Sequence, residues 1–158
     1  MSAAIERADR EFVERFIARI DRGEYWLAHE ELEPLWLERR DDSLKGLIHL
    51  AAALVHVDRG HWSGAERKAA SCVRLLEDVE RVHGLRLEPV REAARQLERE
   101  ASSRRVGERL ERRVRFRMSE WHDRRIDTEQ LEGVELPYRV RRYEQGYRIG
   151  RDPDRRDA

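Results

Sequence analysis

Residues 23–36, GEYWLAHEELEPLW, set one histidine among four carboxylates and two tryptophans in little more than about three helical turns. His29 and Glu33, four residues apart, would lie one above the other on a helix face, a spacing that suits a pair of ligands to a first-row divalent metal. At roughly 100° per residue, Tyr25, Trp26, Leu32, Glu33 and Trp36 all fall within about 60° of His29. The imidazole and the carboxylate therefore face a core. They must be hydrogen-bonded, paired or metal-bound, because an uncompensated buried charge is costly. Glu30 falls near the edge of the same arc, whereas Glu31 and Glu38 point to solvent.

A third ligand is available on the next apolar segment. His49 and His56 share a face there with Gly46, Ala52 and Ala53, opposite Leu47, Leu50 and Leu54. Seven residues separate the two histidines by roughly 10 Å of rise, so at most one of them joins His29 and Glu33, and His56 is the one chosen. The candidate metal ligands are His29, Glu33 and His56, with Glu30 or Glu33 as a general base and Trp26, Trp36 and His49 lining the pocket. Two other readings stay open, a buried hydrogen-bond network that holds helix register and a metal-free ligand or catalytic site.

Other chemistries are excluded by pattern. The stretch reads H-E-x-x-E and lacks the second histidine of a zinc-protease helix. Glu80 and His83 form a single E-x-x-H where a di-iron bundle needs two, so they read as surface residues. No serine or cysteine nucleophile pattern and no glycine-rich phosphate loop accompany the cluster, which leaves no place for a nucleotide cofactor. His61 and His122 have no evident partners and read as exposed.

The elements that must position these groups are helical. Ile5, Ala8, Phe12, Val13, Phe16, Ile17 and Ile20 recur at steps of three and four, and Gly23 ends that helix. A second helix runs from Glu24 to about Arg39, with a kink expected at Pro34. Residues 44–58 are apolar nearly all round, as in a central helix, and Gly60 closes them. Ser63 with Glu66 suggests a capping box for a fourth helix with Ala65, Ala69, Cys72, Val73, Leu76 and Val79 inward, ended by Gly84. Pro89 suits the first turn of a fifth helix that turns Val90, Ala93, Ala94, Leu97 and Ala101 inward.

An internal echo joins the first two turns. Gly23, Tyr25 and Ala28 recur as Gly60, Trp62 and Ala65 at a spacing of 37 residues, which suggests a duplicated helical hairpin. Beyond about Ala101 the character changes. SSRRVGERLERRVRFRM carries only Val106, Leu110 and Val114 as a thin stripe, residues from Pro137 alternate as extended chain, and RDPDRRDA reads as disordered. The expected division is a helical bundle over 1–101 and a basic C-terminal appendage over 102–158.

Composition bounds the function classes. The chain of 158 residues is 42% charged but carries 33 basic against 33 acidic groups, so no global field draws it to nucleic acid or an anionic membrane. A nucleic-acid role for the arginines of 104–117 and the arginine and tyrosine alternation of 139–148 is the weakest reading. Only Lys45 and Lys68 among the basic residues are lysine. The single cysteine, Cys72, excludes an intrachain disulfide and reads as a buried, inert thiol. The run from Leu47 to Val57 falls short of the roughly 20 residues needed to span a bilayer, and no signal-peptide pattern opens the chain, so a cytoplasmic location is expected. A homo-oligomer is allowed.

The order and spacing of GEYWLAHEELEPLW, GLIHLAAALVH and GHWSGA resemble a bacterial and archaeal helical family known as domain of unknown function 309, over roughly residues 10–85. Its H-x-x-x-E-x-x-[W/Y] signature is met by His29, Glu33 and Trp36, while His49 stands where glutamine is expected and Pro34 is unusual inside the motif. The resemblance implies an all-α bundle and a motif suspected of binding metal, with metal-dependent hydrolysis as the implied activity. The expectation is therefore a compact all-α bundle of about five antiparallel helices with an irregular, partly extended C-terminal appendage. It carries a divalent-metal or small-polar-ligand site between its second and third helices. The alternative is a tetratricopeptide-like helical-hairpin interaction module, in which the cluster is structural.

Overall fold

The computed structural model describes residues 2–104 and 116–126. The expectations for Val106, Leu110 and Val114, for the alternation after Pro137 and for the final residues lie outside them. Five helices follow one another, α1 (Ala3–Asp21), α2 (Tyr25–Arg39), α3 (Asp42–Asp58), α4 (Trp62–Leu75) and α5 (Leu87–Ser102). Each packs chiefly on its neighbour in sequence, so α2 is held between α1 and α3, and α4 between α3 and α5. α3 is buried on every side, as its uninterrupted apolar sequence requires.

The two hairpin turns are built alike. Gly23 and Gly60 both take left-handed backbone, with φ of 75° and 69°. The residues that follow, Glu24 and His61, start α2 and α4 from nearly the same backbone angles and without a side-chain cap. Tyr25 and Trp62 are buried at the helix starts, and Ala28 and Ala65 are fully buried one turn on. The echo in sequence is thus an echo in structure. It also displaces the expected capping box, since a helix that begins at Trp62 leaves Ser63 exposed inside its first turn.

Other boundaries differ for physical reasons. Ile5 and Ala8 are exposed because α2 ends at Arg39, whose guanidinium binds Asp9 at 2.9 Å, and the first turns of α1 project beyond that end. α2 continues through Pro34 to Arg39, and Leu35 just beyond the proline is fully buried, so helical phase survives it. α4 stops at Leu75, well short of Gly84. The carbonyls of Leu76 and Val79 after it accept from Arg91 of α5 at 2.8 and 2.7 Å, which stabilises the chain end that no helix continues.

Gly84 instead turns a small β-hairpin, β1 (Arg81–Val82) paired antiparallel with β2 (Leu85–Arg86). His83 and Gly84 both have positive φ, 45° and 83°, the geometry a two-residue hairpin turn demands. Residues 116–126 pack across this hairpin and the end of α1. Met118 is fully buried in the main core, Ser119 binds the Asp21 carboxylate, and Arg86 donates to the Glu120 carbonyl at 3.1 Å. Part of the segment assigned by sequence to an appendage therefore completes the bundle.

His122, expected to be exposed, is buried. Its Nε2 lies 2.9 Å from the His83 carbonyl and its Nδ1 accepts from the Arg124 amide at 3.0 Å, which defines the Nε2–H tautomer. A Cβ at Gly84 would stand 2.8 Å from His122 Nε2. Gly84→Ala is expected to destabilise the fold by about 1–2 kcal/mol, through left-handed strain and loss of the histidine bond. A urea midpoint unchanged from that of the natural protein would refute the role given to this turn.

Candidate metal centre

His29 sits in the second turn of α2, buried between Ala28 and Glu30. Trp26, one turn earlier, stacks on its ring at 5.1 Å and 28°. Glu33, one turn later, brings Oε2 to 3.7 Å from His29 Nδ1, and the adjacent Glu30 brings Oε1 to 3.4 Å. His29 is 5% exposed and Glu30 is 1% exposed. His29 Nδ1 and Glu30 Oε1 have no hydrogen-bond partner. A buried imidazole nitrogen that faces a carboxylate oxygen without a hydrogen bond is costly, and a cation held by both would offset that cost.

One ligand atom each from His29, Glu30 and Glu33 lies within 4.8 Å of the other two, the one such group of three among the described residues. The Nδ1–Oε1 separation already matches the spacing of roughly 3.4 Å between ligands around a tetrahedral zinc. One nitrogen and two carboxylates also suit the donor set of a first-row divalent ion. The residues present thus fit a metal, with three donors from a single helix.

The structure brings together two of the three expected ligands and replaces the third. His56 does not join His29 and Glu33; it faces α4, where its ring lies so close over Gly64 that a Cβ there would be 2.6 Å from Nδ1. Its nearest ring neighbour is His61, at 6.0 Å. Glu30, placed at the edge of the arc by phase, lies with His29 and Glu33 instead. A helical wheel assigns one inward direction, but α3 is buried all round, so its inward residues face different neighbours.

His49 also turns toward α4, where its Nδ1 shares a hydrogen bond with Ser71 Oγ at 2.7 Å. Trp36 is half-buried, with the Arg40 guanidinium 4.7 Å and the Lys45 ammonium 5.7 Å from its ring. Trp26 and Trp36 both pack against the core as partly buried walls.

Glu31 overturns its expected exposure. It is 1% exposed and bridges Arg15 and Arg19 of α1, each at 3.3 Å. α2 therefore buries polar groups on two opposite sides, His29 and Glu30 on one and Glu31 on the other. Arginines four apart on the preceding helix were the available signal. Glu80 is exposed and His83 forms the hairpin turn, so the E-x-x-H pair builds no site. Cys72 is fully buried, and burial pushes its thiol up to about 12.

Burial, followed by nearby Lys68, Lys45, His29 and Arg74, lowers the His49 pKa to about 3. Burial, followed by His61, Lys68, Arg59 and Arg67, lowers that of His56 to about 4. Both rings are neutral in the fold, whereas the unfolded chain protonates them near pH 6.5. Their contribution to stability is complete above that pH and is lost as pH falls toward the folded values. Urea unfolding followed from about pH 7 to about pH 5 should show weakening that flattens in His49→Gln/His56→Gln. An identical pH slope in that variant would exclude these two groups as the cause.

The fold and cluster define an all-α helical bundle with a histidine and carboxylate group on its second helix. Residues 13–68 match the family model described as "Domain of unknown function (DUF309)". No curated protein and no solved structure gives a significant match. No helix among the described residues is long and apolar enough to cross a membrane.

Proposed function

We propose that the protein binds a divalent metal ion through His29, Glu30 and Glu33 of α2. The observation that carries this reading is the pair of buried polar atoms, His29 Nδ1 and Glu30 Oε1, 3.4 Å apart with no hydrogen bond to either. Trp26 fixes the imidazole plane by stacking. A bound ion would supply Lewis acidity and an activated water, so hydrolysis is the natural activity. Glu33, more exposed than Glu30, is the carboxylate placed to take a proton from that water. Elemental analysis of protein purified without chelator or affinity-tag metal tests the reading. It should find near-stoichiometric metal, and substoichiometric metal with the same occupancy in His29→Ala would overturn it.

The matched hairpin turns favour a second reading. A duplicated helical hairpin is the unit of interaction modules that present grooves to peptides or to a second copy. It expects His29→Leu and Glu33→Gln to change stability or partner binding and to abolish no chemistry.

A further inference from the structure

The turn between α1 and α2 and the last turn of α3 leave a cleft of about 260 Å³ between them, whose surface is mostly carbon from Trp26, Leu27 and Val55. Its charged lining is balanced. The Glu24 carboxylate is held by Arg19 at 3.4 Å and Arg22 at 2.9 Å, and Asp58 is followed directly by Arg59. A neutral occupant therefore suits the cleft better than an ion. The volume exceeds the roughly 150 Å³ that holds benzene in an apolar cavity and falls below the roughly 300 Å³ at which pockets for drug-sized ligands begin. One ring with a short substituent fits it. A protein partner does not, because a stable interface buries about 800 Å² on each side and the cleft offers about one helical turn from each helix. The matched turn at Gly60 isolates what Trp26 adds. Ser63 stands there at the place of Trp26 and is exposed, so the turn itself builds without a large side chain at that position. Trp26 is partly exposed and lines the cleft, while its ring stacks on His29 at 5.1 Å.

We propose that this cleft binds a small neutral aromatic group, a single ring with a short substituent, packed against Trp26 between α2 and α3. Leu27 and Val55 supply apolar contact, and the indole adds the ring-to-ring attraction that aromatic pairs gain beyond burial. Trp26 precedes His29 by three residues, a rise of roughly 4.5 Å along α2. A substituent one or two bonds beyond the ring spans that distance. Taken with the metal reading, on which this last step rests, the cleft seats the aromatic part of the molecule whose polar end the ion binds.

The test is calorimetric titration of the full chain, stripped of metal by chelator, with benzyl alcohol. Saturable 1:1 binding is expected, weakened at least about tenfold in Trp26→Ser, which installs the residue of the matched turn, and in Leu27→Trp, which fills the cleft. Thermal melts establish that both variants are folded. Glu33→Gln, which alters a metal ligand outside the lining of the cleft, should bind benzyl alcohol as the natural protein does. In zinc-loaded protein, benzohydroxamate should bind at least about tenfold more tightly than acetohydroxamate, and Trp26→Ser should abolish the difference. Binding of benzyl alcohol by a protein that takes up no zinc would support the cleft and overturn the metal reading alone. Equal affinity of the two hydroxamates for zinc-loaded protein would overturn the link between cleft and ion. Absence of saturable benzyl alcohol binding, or unchanged affinity in both folded variants, overturns the proposal.

Discussion

Replacing His29 with leucine is expected to weaken binding of a divalent ion by about a hundredfold or more and, in the metal-free protein, to leave stability unchanged or higher. The first effect follows from removing one of three donors, since loss even of a group that only orients a ligand costs about 10–100-fold. The second follows from burial. In the metal-free fold His29 Nδ1 is a buried polar atom facing a carboxylate at 3.4 Å without a hydrogen bond, a situation that costs about 1–3 kcal/mol. Leucine removes that atom and keeps an apolar body for Trp26 to cover. Added metal should raise the melting temperature of the natural protein in proportion to the logarithm of its concentration and leave the variant unmoved. Thermal melts with and without metal measure both effects. A variant that is destabilised without metal and still stabilised by it would show that the imidazole is structural.

Glu31→Ala is expected to destabilise the fold by about 3 kcal/mol, more than any other carboxylate substitution on α2, because it removes the buried carboxylate that Arg15 and Arg19 share and leaves them only the more exposed Glu11 at 3.9 Å and Glu24 at 3.4 Å. Arg15 and Arg19 are 18% and 15% exposed at their side chains, so they keep partial access to water and the cost stays at the lower end for a broken buried pair. Glu38→Ala, on the exposed edge of the same helix, should change stability by less than about 0.5 kcal/mol. Denaturant unfolding of the two variants gives the comparison. Equal stability would mean that the α1–α2 contact rests on its apolar residues alone.

These two residues mark how far the sequence could be read. Three-and-four spacing located every helix core. Val13, Phe16, Ile17 and Ile20 on α1 and Val90, Ala94 and Leu97 on α5 are buried as their phase required. Glu31 was misplaced because a wheel with one apolar stripe assumes one neighbour, and α2 has two. The hairpin at Arg81–Arg86 was missed because two-residue strands carry too short an alternation to register, although His83-Gly84 is a recognisable turn. Met118 and His122 entered the core through contacts with residues about 40 or more positions away, which no local pattern contains.

The amino-acid sequence by itself determined that this chain is an all-α bundle, that two of its helical hairpins are turned alike, and that His29 and Glu33 look inward from one helix face. Those properties depend on periodicity, on glycine at left-handed positions and on the cost of burying charge, all of which are local. Tertiary structure alone decided that Glu30 rather than His56 completes the cluster, that His49 binds Ser71, and that Lys45 reaches the Trp36 ring. A side chain's angle on its own helix is set by the backbone, but what it meets there is set by which helix packs opposite. For a helix buried on every side, that choice is made by the whole bundle.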